Sequence, residues 1–236
     1  MLLNVLLLLL LLLLLLLLML HMFTMFDLYG QMFTFPQETN TAHVRLIPSR
    51  QEKRATTICL RSFTDLRRSH VLFSLATPST DNGFMIFKDS DMLDQINVHI
   101  RNYYVYFAGQ NYKLSTWHSL CSTLDSESGL AQLWLDGKLL NRKLISRGLS
   151  ITGISGPIII VLGQDQDSHG GRFVIADSFM GMLSDVHMWD YVISPCEIQN
   201  YMEDLSFTPG NLLNWGALEF QVIGTVLIED EQKSCN

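Results

Sequence analysis

The sequence has no surplus of positive charge, no second long apolar run, and none of the short motifs by which common enzymes hold a nucleophile, a zinc ion or a nucleotide. Only 16 Lys and Arg stand against 23 Asp and Glu, so nothing is available to neutralise a polyanionic backbone. That excludes a nucleic-acid binder. A single long apolar run excludes a polytopic membrane protein. There is no G-x-S-x-G elbow, no H-E-x-x-H helix and no phosphate-cradling glycine loop. Internal repeats are absent, and low complexity is confined to leucines near the start. With 48% apolar and 10% aromatic residues, the chain is not disordered. One domain is expected.

The apolar run is Val5 to Leu20, with thirteen consecutive leucines from Leu6 to Leu18. It has the h-region of a secretory signal and lacks the basic n-region, because Arg45 is the first Lys or Arg. Its sixteen residues fall short of the ~20 that cross a bilayer as a helix, although Met22, Phe23, Met25 and Phe26 could lengthen it. Residues 1–30 therefore read as a signal peptide cut after Gly30, or as an uncleaved anchor, and residues 31–236 as an exported domain.

Four cysteines, Cys59, Cys121, Cys196 and Cys235, then meet an oxidising compartment and allow three pairings. Cys59 and Cys121 each lie in a strand-like run, and neighbouring strands bring Cα atoms to about 5.5 Å, close to disulfide geometry. Cys235, in the polar tail, could pair with Cys196, pair with another chain or stay free.

Short strands dominate. Ile96, Val98 and Ile100 alternate with Asn97, His99 and Arg101, the period of a sheet with one wet face. Asp136-Gly137 between two apolar runs predicts a type I′ hairpin, which needs positive φ at both central positions. The β-branched run Pro157–Leu162 predicts a strand buried on both faces. Turn residues every eight to fifteen positions favour a two-sheet sandwich. One helix is predicted after Ser194, with Pro195 at its first position and Glu197 completing a capping box.

The candidate chemistry is acidic. Asp165 and Asp167 flank Gln166 in a glycine-bearing loop, and such carboxylates can converge on one hard cation. The loop starts like an EF-hand and fails at its twelfth position, where Ala176 replaces the bidentate glutamate. Its plainer reading is a solvated acidic turn. Asp81-Asn82-Gly83 alone reads as an ordinary turn, and Asp177 as an isolated acid. A glycosidase pair is incomplete, since Gly170 stands where a third acid is often found.

Taken together, the segments Ser128–Gly137, Leu162–Ser168 with Gly170-Gly171, Met188-Trp189-Asp190 and Asn211–Trp215 resemble the pentraxin family, that of C-reactive protein and serum amyloid P component. The resemblance runs from Phe35 to the C-terminal strand. It implies an all-β fold: a two-sheet antiparallel, lectin-like jelly-roll sandwich with one short α-helix, usually assembled as a homopentamer. It also implies a Cys59–Cys121 disulfide and two calcium ions on one face. Asp81, Asn82, Asp165, the main-chain carbonyl of Gln166 and Asp167 match the first site. In the second site Val174 replaces a glutamate and Asp177 a glutamine, so one firm and one weakened calcium site are expected. Phe87 matches the phenylalanine that covers a phosphocholine ligand, and Asn102 falls on the glutamate that meets its ammonium. The signature H-x-C-x-[ST]-W is altered too, with Ser119 and Leu124 at its first and last positions.

The implied function is a secreted, calcium-dependent, non-enzymatic pattern-recognition protein of innate defence. Its partners would be phosphorylated or acidic carbohydrate and lipid head groups, copies of itself and complement components. The alternative is a laminin-G-like adhesive module that needs no metal.

Overall fold

The computed structural model describes residues 26–50, 56–90, 95–145 and 156–232. Two antiparallel sheets pack face to face. One orders β10 (Lys138–Leu139), β9 (Leu130–Leu135), β8 (His118–Asp125), β3 (Thr56–Phe63), β13 (Gly181–Trp189), β1 (Gln31–Phe35) and β15 (Leu227–Asp230), with β11 (Lys143–Leu144) also on β9. The other orders β14 (Glu219–Ile223), β2 (His43–Ile47), β12 (Ile159–Leu162), β4 (His70–Thr77), β5 (Thr80–Asp89), β6 (Gln95–Ile100) and β7 (Tyr103–Phe107). This is the expected jelly-roll sandwich. The helix α1 spans Pro195–Met202.

Alternation builds the core. Phe73, Leu75, Phe84, Ile86, Ile160 and Leu162 meet Phe33, Ile58, Leu60, Leu120, Leu133 and Leu183 from the opposite sheet. Every residue of β4 is buried, because it is a central strand covered on both faces. Cys59 and Cys121 face each other across β3 and β8 with Cα atoms 4.1 Å apart, and their sulfurs are bonded. Ile198 and Tyr201 of α1 pack over that disulfide with Trp134 and Trp189. Cys196 is exposed and unpaired among the described residues, while Cys235 lies outside them.

Local signals held where they were strong. Asp136 and Gly137 take φ of 47° and 74°, and Lys138 pairs with Leu135. Ser194 Oγ accepts from the Glu197 amide at 3.2 Å. The capping box is one-sided, however, because the Glu197 carboxylate accepts from the Thr208 amide at 2.7 Å. Glu197 thus ties the chain beyond the helix back to its first turn.

One local expectation differs from what is found. Asp81-Asn82-Gly83 lies inside β5; the reversal falls on Pro78-Ser79, where Thr77 pairs with Thr80 and proline presets the backbone. The chain just before Gly30 is also built into the sandwich. Phe26 bridges Leu218 with bonds of 3.0 Å in both directions, Leu28 is 2% exposed within the core, and the Tyr29 ring packs on Gly216. Residues 1–25 of the expected leader lie outside the described residues. Among the described residues no helix is long and apolar enough to cross a membrane.

Candidate cation-binding face

The acidic loop follows β12 through Gly163, whose φ is +92° and where a Cβ would strike the Phe35 ring at 2.3 Å. Only glycine lets the strand turn there. The loop is then pinned by Gln166, which is fully buried. Its amide N–H donates to Ser74 Oγ at 3.3 Å, and its Nε2 donates to the carbonyls of Ser74 and Ile159, each at 3.1 Å. Its Oε1 accepts from the Gly170 amide at 3.0 Å. The side chain is a structural anchor, so any contribution of Gln166 to a cation comes from its main-chain carbonyl.

That anchoring sets Asp165 beside the start of β5. Asp165 Oδ1 and Asn82 Oδ1 are both buried, and neither has a hydrogen-bond partner among the described residues. Buried oxygens are rarely left so, because each forfeits its bonds to water. Burial first, then the charges of Asp167, Asp177 and Asp81, push the Asp165 carboxyl up to about 7. Asp177 is raised as well, by burial and by Asp167, while Arg68 pulls it down. Carboxylates from β5, from the loop and from the 3-10 turn Ile175–Asp177 therefore act on one another. They are not gathered tightly: among the described residues no three His, Cys, Asp or Glu side chains form a group that could hold a metal alone. A cation here would also need the Asn82 side-chain oxygen and the Gln166 main-chain carbonyl, since the Gln166 side-chain oxygen already accepts from the Gly170 amide. Acceptors with no donors among them are what a hard cation takes.

Val174 is 42% exposed, and its carbonyl closes the turn by accepting from the Asp177 amide at 3.1 Å. Its side chain has no oxygen to offer. Beside it, Arg68 does work that spacing did not reveal. Its guanidinium donates to the carbonyls of Ala176 at 2.9 Å and Ser178 at 2.7 Å, and to Glu38 at 2.9 Å.

Phe87 is half-buried on the outward face of the seven-stranded sheet, opposite Asn97. Asn102 is not beside it. It sits in the turn between β6 and β7, where Arg101 and Asn102 have φ of 51° and 65°. Its side chain faces back to the Asn82 amide. The exposed residues on the outward face of β7 are Tyr104 and Tyr106, which the sequence reading did not single out. Their period-2 spacing was the available signal.

The Pentaxin family model matches residues 31–230. The chain belongs to the pentraxin family. It is 38% identical over 203 residues to serum amyloid P-component of Mus musculus, covering 86% of this chain and 88% of the relative. It is 37% identical over 211 residues to C-reactive protein of Xenopus laevis, covering 88% and 86%. Among solved structures, the native heptameric SAP-like pentraxin of Limulus polyphemus superposes with a TM-score of 0.75 at 22% identity, covering 86% of this chain and 96% of that one, and supports the fold. As a pentraxin the chain is a recognition protein, not an enzyme.

Proposed function

We propose that this pentraxin is an exported pattern-recognition protein of innate defence that binds anionic head groups through calcium. One observation carries the reading: the buried, unpartnered Oδ1 atoms of Asn82 and Asp165, set among the mutually repelling carboxylates of Asp81, Asp167 and Asp177. Asp81, Asn82, Asp165, the Gln166 carbonyl and Asp167 would hold a first calcium. Asp177, beside the oxygen-free Val174 side chain, would hold a second only weakly. When bound, calcium supplies an open coordination position for a phosphate, carboxylate or sulfate oxygen.

The protein's own residues do the rest. Gln166 fixes the loop, Asn102 fixes the Asp81-Asn82 backbone, and Phe87 stands on the outward face of the same strand, β5. The outward face of the edge strand β7 carries Tyr104 and Tyr106 and no carboxylate, so phosphocholine is a poor ligand in this reading. Single sites of this kind bind weakly, and a ring of subunits would convert them into avidity. The names of the curated relatives, serum amyloid P-component and mucosal pentraxin, support an extracellular role.

The test is calorimetric titration of calcium into the chelator-stripped protein, in the wild type and in Val174→Glu. One firm site per subunit, with a second gained or tightened in Val174→Glu, is expected. No heat of calcium binding would return the chain to the metal-free adhesive alternative.

A further inference from the structure

Residues 173–177 leave the acidic loop with most of their apolar side chains turned to water. Phe173 packs its ring on His43, with centroids 4.9 Å apart, and Phe179 is buried just beyond the turn. Between these two anchors Val174 is 42% exposed, Ile175 is 50% exposed, and Ala176 is exposed as well. The 3-10 turn Ile175–Asp177 buries none of its residues. Three consecutive apolar side chains in water add nothing to the core, and on a protein surface such a group needs a reason. Asp177, at the end of the turn, feels the charge of Asp167, so the turn belongs to the cation face.

The carbonyls of this turn are sealed from within. That of Val174 accepts from the Asp177 amide at 3.1 Å. That of Ile175 accepts from the Ser178 amide at 3.2 Å and from Ser178 Oγ at 2.7 Å. Arg68 takes the carbonyls of Ala176 and Ser178. A turn in water can leave its carbonyls to solvent. One that enters an apolar medium cannot, because each unsatisfied group is costly there.

We propose that residues 174–176 are a membrane-inserting tip, whose side chains enter the apolar layer of a phospholipid bilayer beside the acidic loop. The contact is with the interior of the lipid layer and lies outside any head-group site. The inference rests in part on the cation reading above, since calcium on the loop would offset the net charge of −7 at an anionic surface. Two observations choose a bilayer over a protein. Three side chains are too few for a stable protein interface, which buries on the order of 1,600 Å². At a bilayer they need only add to a phosphate contact next to them. Arg172, just before the anchor Phe173, is exposed and basic. Such a residue can lay its stem along apolar material and keep its charge among anionic head groups.

The experiment is co-sedimentation with vesicles of phosphatidylcholine and phosphatidylserine in millimolar calcium, on the wild type, Ile175→Ser and Ile175→Trp. Soluble phosphoserine serves as the head group alone. The wild type should bind the vesicles, and Ile175→Ser should bind them about tenfold more weakly. Phosphoserine affinity and the melting curve should not change in Ile175→Ser, because the turn buries nothing. Ile175→Trp should bind at least as well as the wild type, and lipids brominated on their acyl chains should quench its added fluorescence. A wild type that leaves the vesicles in suspension overturns the tip, as does an Ile175→Ser variant that binds them equally well. So does Ile175→Trp fluorescence that the bromines leave untouched, which would make the tip a protein contact. If calcium still raises the melting temperature in those cases, only the tip has failed. If calcium binds to nothing, the cation reading fails, and quenching of Ile175→Trp by the same vesicles still decides the tip.

Discussion

Asn102 closes a reciprocal pair of hydrogen bonds with Asn82: its Oδ1 accepts from the Asn82 amide at 3.2 Å, and its own amide donates to the Asn82 carbonyl at 3.1 Å. The pair leaves Asn82 Oδ1 pointing elsewhere, buried and unpartnered. Asn102 has a φ of 65°, which glycine adopts freely, so Asn102→Gly removes the side-chain bond and keeps the turn. We expect calcium affinity to fall several-fold, the equivalent of about 1 kcal/mol for one hydrogen bond. Calorimetry showing unchanged calcium affinity would remove Asn102 from the site.

Calcium should raise the melting temperature of the wild type and not of Asp167→Ala, with about 2.7 kcal/mol gained at 100 times the dissociation constant. The effect should depend on pH. Asp165 carries its proton up to about 7 in the metal-free fold, so calcium must displace that proton below neutrality. Affinity should therefore weaken as pH falls from 7 towards 5. A flat profile across that range would show that Asp165 is not a ligand.

The Cys59–Cys121 bond closes a loop with a sequence separation of 62, worth about 4 kcal/mol in the chain-entropy model. Reduction, or Cys59→Ala with Cys121→Ala, should lower stability by that order. Peptide mapping without reductant should find this pair and leave Cys196 outside it.

His187 gives acid sensitivity of definite sign. It is fully buried between Trp189, Tyr201 and Phe207, and burial, helped by the Arg61 charge, pushes it down to about 4. The unfolded chain protonates near 6.5 and the folded one near 4. Stability from this group is thus complete above 6.5 and declines by about 3 kcal/mol as pH falls through that window. His187→Phe, which keeps the packing, should flatten this part of a pH–melting curve. An unaltered acid slope in that variant would assign the sensitivity to another group.

Leu28 sits in the core and Phe26 bridges Leu218, so a cut after Gly30 would remove both. N-terminal sequencing of the mature protein should find a first residue at or before Phe26. Leu28→Ala should cost about 3 kcal/mol. A mature chain starting at Gln31 would refute this boundary.

The parts of this molecule that were legible in its sequence are those written in short-range physics. The Asp136-Gly137 hairpin, the alternation of β6 and the Ser194-Pro195 cap each depend on a few neighbouring residues. The acidic loop was visible because like charges so close need a reason. What stayed hidden depends on distant partners. Asp81-Asn82-Gly83 has turn composition yet lies in a strand, because Pro78-Ser79 takes the reversal and Asn102 pairs with Asn82 from another hairpin. Tyr104 looked like strand filling until register showed it sharing a row with Ser74 and the loop above it. Leu28 looked like the end of a leader because its backbone partner, the Trp215 carbonyl, comes from the far end of the chain.

Arg68 divides the face into two kinds of fastening. In the calcium reading the acidic loop would offer its oxygens to an exchangeable cation, whereas the turn Ile175–Asp177 is held through Ala176 and Ser178 by a guanidinium covalently part of the chain. Such a tether has no dissociation constant and a fixed effective concentration. A chelator can strip the one and not the other. Amide exchange after chelation should therefore speed up around residues 165–167 while residues 176–178 keep their protection, so that the face loosens by half instead of falling apart.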